Sequence, residues 1–338
     1  MAIALHTPPM EAKLAEVIPE GEVWQFEPKW DGFRCLAFRD GADVSLMSKA
    51  GKPLGRYFPE IVDALLGLKQ KPFVVDGELV LPVGEALSFA ALQMRLHPAA
   101  SRVEKLARET PAQFMLFDCL QLGETDLLQK PLAQRREALE GFVSGSTSDR
   151  LLLSPVTTDR EIAEQWFAQS GGALDGVVAK RLDQPYEPGE RAMIKVKQQR
   201  TADCVVGGYR LSGKKVGSLL LGLYDGEGKL NHVGYTSSFS DEDRAALLPK
   251  LEPLQGASAF TGSSPGGASR WSDGRSTEWC ALEPELVVEV GYDQVTGQRF
   301  RHGTRFLRWR PDKAPHQCTM EQLGHELRPA ALADLLAK

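Results

Sequence analysis

The chain has little that would place it in a membrane or in an oxidising compartment. Among its 338 residues no segment approaches the roughly 18 uninterrupted apolar residues of a membrane span. Its start, "MAIALHTPPMEAKLAEV", lacks the cationic leader and apolar core of a signal peptide, so a cytoplasmic setting is expected. The five cysteines (Cys35, Cys119, Cys204, Cys280, Cys318) are odd in number and never form C-x-x-C. That excludes a disulfide framework and a zinc ribbon, and leaves reduced, mainly buried thiols. The six histidines show no ligand spacing, internal repeats are lacking, and a formal net charge of −5 excludes a general polycation that coats nucleic acid.

What is present is the composition of an ordinary water-soluble chain, 42% hydrophobic and 25% charged, long enough for two cores. One stretch departs from the acidic balance. "RFRHGTRFLRWRPDK" sets Arg299, Arg301, Arg305, Arg308, Arg310 and Lys313 against a single acid, Asp312, a concentrated anion-binding signal in which His302 is a weak phosphate candidate.

The first two-thirds alternate strand-like and helical runs. "DVSLMS", "FVVDGELV", "QFMLFDCLQL" and "DGVVAKRL" are apolar pieces bounded by Gly, Asp and Pro, the pattern of strands. Between them "PEIVDALLGLK", "SFAALQMRLH", "QRREALEGFV" and "REIAEQWFAQSG" read as helices, the last stopping at Gly171-Gly172. From residue 201 the texture changes to "DCVVGGYRL", "GSLLLGLYD", "KLNHVGYTS" and "ELVVEVGYD", short strands with Gly-rich turns and one helical interlude, "DEDRAALLPKL". An α+β chain of two domains is expected: residues 1–200 mixed α/β, residues 201–338 a five-stranded barrel of the oligonucleotide-binding kind. The Gly/Ser-rich stretch "QGASAFTGSSPGGASRWSDGRS" reads as a loop of the second domain. Trp24, Trp166, Trp271 and Trp279 read as packing residues.

The segment "EPKWDGFR" at residues 27–34 raises a chemical question. A lysine attacks only as the neutral amine, which a free lysine is about one time in a few thousand at pH 7. Neighbouring cations and burial would favour that form, and Arg34, Lys180, Lys195 and Lys197 would supply the field if their strands met in one cleft. By itself the segment is read equally well as an Asp-Gly hairpin with Lys29 and Arg34 at strand ends. Asp76 of the Asp-Gly at residues 76–77 reads as a turn-former, with Glu78 beyond it.

Taken in order, "KWDGFR", "DGE" at 76–78, "FMLFD", "DGVVAK", "IKVK" and "RFLRWRPDK" resemble the motif series of the lysine nucleotidyltransferases, specifically the ATP-dependent DNA ligases. "LDGVVAKRLD" and "RTADCVVGGYR" are most similar to the small stand-alone bacterial type often called C. The resemblance implies an adenylation domain followed by an OB-fold domain. It implies that Lys29 carries AMP through a phosphoramidate, that Glu27 meets the adenine amino group, and that Arg34 and Glu78 meet the ribose side. Phe117 would stack on adenine, Lys195 and Lys197 would grip the α-phosphate, and Lys180 would join the nucleotide contacts. Arg308, Arg310, Asp312 and Lys313 would meet the β,γ-phosphates and later DNA. Asp175, joined by Glu78, would hold Mg²⁺ or Mn²⁺. Two positions depart from the family pattern: Asp175 stands where glutamate is usual, and Lys49 where an arginine is common, keeping charge without the bidentate fork.

The implied reaction runs in three steps: Lys29 takes AMP from ATP, AMP passes to the 5′-phosphate of a nick in double-stranded DNA, and the 3′-hydroxyl displaces it. NAD⁺ is not the expected donor, because residues 1–28 leave no room for a domain recognising its nicotinamide half. Excision or single-strand break repair is the expected setting, and a monomer the expected state. Two rivals stand beside this reading: an RNA ligase or RNA-capping guanylyltransferase with the same lysine logic, and a non-catalytic nucleic-acid-binding barrel.

Overall fold

The computed structural model describes residues 3–83, 86–168, 174–197, 200–257, 259–266 and 278–323. Gly171-Gly172, Trp271 and much of the Gly/Ser-rich stretch lie outside the described residues. Those described fall into two compact units, residues 3–197 and 200–323. No helix among them is long and apolar enough to cross a membrane.

The first unit opens with β1 (Ala12–Ala15), β2 (Trp24–Trp30), β3 (Phe33–Asp40), β4 (Asp43–Ser48) and helix α1 (Pro59–Leu66). β5 (Phe73–Val80), the short paired strands β6 (Pro82–Val83) and β7 (Ala86–Leu87), and helices α2 (Phe89–Met94) and α3 (Ala100–Glu109) follow. Then come β8 (Gln113–Leu122), β9 (Thr125–Asp126), α4 (Leu132–Ser144), β10 (Leu151–Leu153), α5 (Arg160–Ala168), β11 (Leu174–Arg181) and β12 (Met193–Val196). Apolar runs account for most of these elements. α3 is the exception, because Val103 is its one buried residue and no apolar stripe marks it in the sequence.

These strands form two sheets. One runs β1-β12-β11-β2; the other runs β10-β8-β5-β3-β4, with β9 paired to β8. Phe58, Ile61 and Leu65 around α1 and Leu139 and Phe142 of α4 bury one face of the larger sheet against Phe73, Leu79, Phe114 and Leu116. α5 covers the smaller sheet with Ala163 and Trp166 against Phe26, Trp30, Val177 and Val196, with Trp24 at the margin. A third cluster, including Leu36, Phe38, Val74 and Leu120 of the larger sheet and Met193 of the smaller, packs the two sheets together.

Two expected turns need correction. β2 and β3 belong to different sheets, so Asp31-Gly32 carries the chain from one sheet to the other. Asp76-Gly77 lies inside β5, paired with β3 and β8. Glycine is needed at both for closeness: a Cβ would stand 2.1 Å from the Leu79 carbonyl oxygen at Gly32, and 2.6 Å from that of Met115 at Gly77. Gly176 is the third case, with φ +135° and the Val196 carbonyl oxygen 2.0 Å from a built Cβ. An Asp-Gly that does turn a hairpin is Asp40-Gly41, with φ +59° and open space around it.

β2 is an edge strand of its sheet. Phe26 exchanges backbone hydrogen bonds of 2.7 and 3.0 Å with Thr157 on the outer side. Pro28, two residues on, faces that same side, where a missing N–H removes nothing from the ladder.

The second unit contains β13 (Arg200–Ser212), β14 (Lys215–Tyr224), β15 (Leu230–Thr236), α6 (Asp241–Leu251), β16 (Cys280–Ala281), β17 (Val287–Tyr292), β18 (Val295–Thr296), β19 (Arg299–Phe300) and β20 (Arg305–Trp309). Its main sheet runs β15-β14-β13-β17-β20 and is antiparallel throughout. A parallel bridge between Thr236 and Thr304 joins the two ends of that order, which curls five strands into a barrel. α6, capped by Ser240 and Asp243, falls between the third and fourth strands, so the expected α+β pairing with an OB-type barrel is the architecture observed. Trp279 packs at this core's edge.

Gly176→Ala should cost more than about 2 kcal/mol, through both a positive φ and a carbonyl in the way. Gly41→Ala, which meets no atom, should cost about 1 kcal/mol. Thermal unfolding of the two variants measures the difference.

Candidate active site

Successive side chains of a strand point to opposite faces, so Gln25, Glu27 and Lys29 form one row along β2. Glu27 and Lys29 line a cavity of about 200 Å³ together with the segment Pro9–Ala12, Arg34, Lys49, Glu78, Phe117, Val178, Lys180, Met193 and Lys195. Eight of the residues expected to bind nucleotide or react with it therefore converge: Glu27, Lys29, Arg34, Lys49, Glu78, Phe117, Lys180 and Lys195. They come from both sheets.

At the Lys29 end, Nζ lies 2.8 Å from Asp175 Oδ2, and Lys197 Nζ lies 2.7 Å from the same oxygen. Asp175 reaches this point because Gly176 lets β11 pass against β12. Burial lowers the Lys195 ammonium below the usual lysine range, and Lys29, Lys197 and Lys49 add to that effect. Lys49 pairs with Glu11 at 3.0 Å.

At the opposite end, Glu27 Oε1 accepts from Gln25 at 2.9 Å and meets Lys180 Nζ at 2.8 Å. Lys180 also donates to the Phe117 carbonyl at 3.3 Å and lies 4.6 Å from the centre of that ring. Its ammonium thus serves Glu27 and Phe117, and does not share in the Lys29 cluster. Arg34 stands 4.5 Å from the Phe117 ring centre. Its guanidinium is held by both oxygens of Asp76 at 2.6 Å, so Asp76, mid-strand and fully buried, anchors a cation and does not shape a turn.

The parts that Tyr186, Asp76 and Gln25 play here were not read from the sequence. Tyr186 accepts from the Met10 N–H at 2.9 Å and donates to Asp76 at 2.7 Å, tying the N-terminal wall of the cavity to its floor. It sits in the irregular run "QPYEPGE" with no periodicity to mark it. Asp76 needed its register opposite Leu36 on β3, beside the Arg34–Glu78 pair. Gln25 is the one the strand period could have found.

Glu78 is half-buried and carries a carboxyl pushed up to about 7 by burial, with Lys29 and Arg34 opposing and Asp31 and Asp76 assisting. Among the described residues no group of three or more His, Cys, Asp or Glu gathers to hold an ion. Asp175 and Glu78 offer single carboxylates, a donor set that suits Mg²⁺, which takes one or two and fills its shell with water and phosphate oxygens.

In the second unit the arginine-rich stretch is less bare than its sequence. Asp203 takes Arg310 at 2.9 Å and Lys313 at 2.6 Å, and Glu289 takes Arg308 at 2.5 Å. His302 meets Asp293 at 3.1 Å, and Arg310 also grips Asp312 at 2.8 Å, holding that carboxyl down to about 2. The single acid of the sequence becomes four once the strands assemble.

Residues 7–197 match the ATP dependent DNA ligase domain, and residues 212–313 the ATP dependent DNA ligase C terminal region. DNA ligase C1 of Mycolicibacterium smegmatis is 48% identical over 336 residues, covering 95% of each chain. DNA ligase C of Mycobacterium tuberculosis is 44% identical over 347 residues, covering 97% of this chain and 96% of that one. A Lig E DNA ligase structure, 18% identical, covers 89% of this chain and 99% of that one with a TM-score of 0.56, a likeness of fold. The chain belongs to the ATP-dependent DNA ligase family, beside the stand-alone bacterial C-type enzymes. Use of ATP and a divalent metal, and action on DNA, are general to that family.

A carboxyl raised from its ordinary 4.5 to about 7 stabilises the fold fully below pH ~4.5, and that contribution is lost as pH rises through ~7. With divalent metal chelated, Glu78→Gln should therefore gain unfolding midpoint over the parent between pH 5 and pH 8. An unchanging gap would refute the raised titration.

Proposed function

We propose that this chain seals 3′-hydroxyl/5′-phosphate nicks in duplex DNA through AMP carried on Lys29. The observation that carries the reading is the pairing of Lys29 and Lys197 on one Asp175 oxygen, 2.8 and 2.7 Å away, at one end of a cavity whose other end holds Glu27 and Phe117. A nucleophile, cations for phosphate and a ring for a base lie in the order in which a nucleotide presents phosphate, sugar and base.

Lys29 attacks as the neutral amine, its proton passing to solvent, and Asp175 Oδ2 at 2.8 Å orients Nζ. The neutral Nζ forms a bond to the α-phosphorus as the bond to pyrophosphate breaks. Lys195 and Lys197 bear on the charge that develops on the phosphoryl oxygens, an effect strengthened where water is excluded. Arg34, fixed by Asp76, and Glu78 face the ribose. A divalent cation held by Asp175 and Glu78 would neutralise phosphate charge. AMP then passes to the 5′-phosphate, and the 3′-hydroxyl forms the phosphodiester as AMP leaves. Repair of DNA breaks is the setting we favour, since relatives about 30% identical carry end-joining names.

Incubation with ATP should add one AMP to the intact mass, and pyrophosphate should remove it. Lys29→Ala should abolish both the adduct and sealing by more than about 10³-fold, as loss of a covalent nucleophile does. EDTA should stop adduct formation. Sealing by Lys29→Ala at the parent rate overturns the covalent route, and an adduct formed only from GTP turns the reading toward a guanylyltransferase.

A further inference from the structure

Gln25 belongs to none of the contacts expected of a nucleotide, yet it lies in the row that ends at Lys29. It is 4% exposed, and Glu27 is 2% exposed. In the register of β2 against β11, Gln25 stands opposite Lys180 and Glu27 opposite Val178. The Gln25 amide and the Lys180 ammonium both meet Glu27 at Oε1, at 2.9 and 2.8 Å. Both contacts fall on the same oxygen, and Glu27 lines the cavity.

Two donors on one oxygen fix the rotation of a carboxylate about its last bond. With Oε1 occupied by both donors, the other oxygen is the one left to accept from a ligand in the cavity. A 6-aminopurine offers an N–H to such an acceptor. A 6-oxopurine offers a carbonyl, and two acceptors facing each other in a buried site repel. Without Gln25, Lys180 alone holds Glu27, and a single charged contact leaves the carboxylate free to swivel.

We infer that Gln25 is a positioning residue for base selection: with Lys180 it fixes Glu27 as a one-sided acceptor that prefers a 6-aminopurine nucleotide over a 6-oxopurine or an unsubstituted purine. The inference rests on the nucleotidyl-transfer reading above. Gln25 touches no reacting atom, and its effect falls on recognition.

Gln25→Met keeps the length and bulk of a buried side chain and removes the amide donor. Nucleotidyl adduct formation is measured on the full chain with ATP, purine riboside triphosphate and GTP. The parent should favour ATP over purine riboside triphosphate by about 10-fold or more in kcat/KM, as expected of one hydrogen bond to a charged group. In Gln25→Met that ratio should fall to within about threefold, with the loss in the KM for ATP and none in the KM for purine riboside triphosphate. The share of GTP used relative to ATP should rise. Gln25→Asn, which withdraws the amide by one methylene, should give the same loss and serves if the methionine variant does not fold.

A purely structural role predicts equal losses for both purine nucleotides. That outcome, or an unchanged ratio in both variants, overturns the assignment and leaves chemistry at Lys29 intact. Failure of the parent to form an adduct with any nucleotide overturns the covalent reading and this inference together.

Discussion

The carboxylate of Asp175 sits 2.8 Å from Lys29 and 2.7 Å from Lys197, and the reacting end of the cleft is organised around it. Three ammonium groups, counting Lys195, would otherwise repel one another in a partly dry site. The carboxylate arrives there through backbone geometry: Gly176 takes a φ of +135° and lets the Val196 carbonyl pass where a side chain would stand. A shift of register between Leu174 and Val177 marks the same spot on the β2 side. Strand, bulge and glycine together place one negative charge among several positive ones.

Elsewhere in the cleft the same rule operates. Arg34 is held by Asp76 and Lys180 by Glu27, and behind them Arg135 is held by Asp118 at 2.7 Å. Removing one partner of a buried pair costs about 3–5 kcal/mol, since the other charge stays behind uncompensated. These pairs therefore act as fixed posts. A ligand entering the cavity meets groups whose rotamers are already set, and little ordering remains to oppose binding. Asp175 differs, because both of its partners are ammonium groups with somewhere else to go once a phosphate is present.

Several strands could be read from the sequence because each is an apolar run between turn residues, and "FVVDGELV" or "QFMLFDCLQL" has no competing helical period; their order in the sheets could not. The convergence of Glu27, Lys29, Glu78, Phe117 and Lys195 was readable only through an ordered set of motifs, since no single one specifies a neighbour. Asp-Gly misled. Locally, Asp31-Gly32, Asp76-Gly77 and Asp40-Gly41 are the same dipeptide, and only the last turns a hairpin; the others answer to a neighbouring backbone that no local pattern contains. Charge was misread for a similar reason. Asp203 and Glu289 stand far from Arg310 in sequence and meet it only across β13, β17 and β20.

Pro28 stands between Glu27 and Lys29 in β2, and among the described residues its outer side faces no strand beyond the Phe26–Thr157 bridge. An unpaired edge with free donors is a template on which another extended chain can zip, and a strand that carries a reactive amine would be smothered by such a guest. The imino ring denies that guest its hydrogen bond at the position next to Lys29. One residue thus keeps the reactive strand open along its edge, and replacing it would trade a clean nucleophile for a sticky margin.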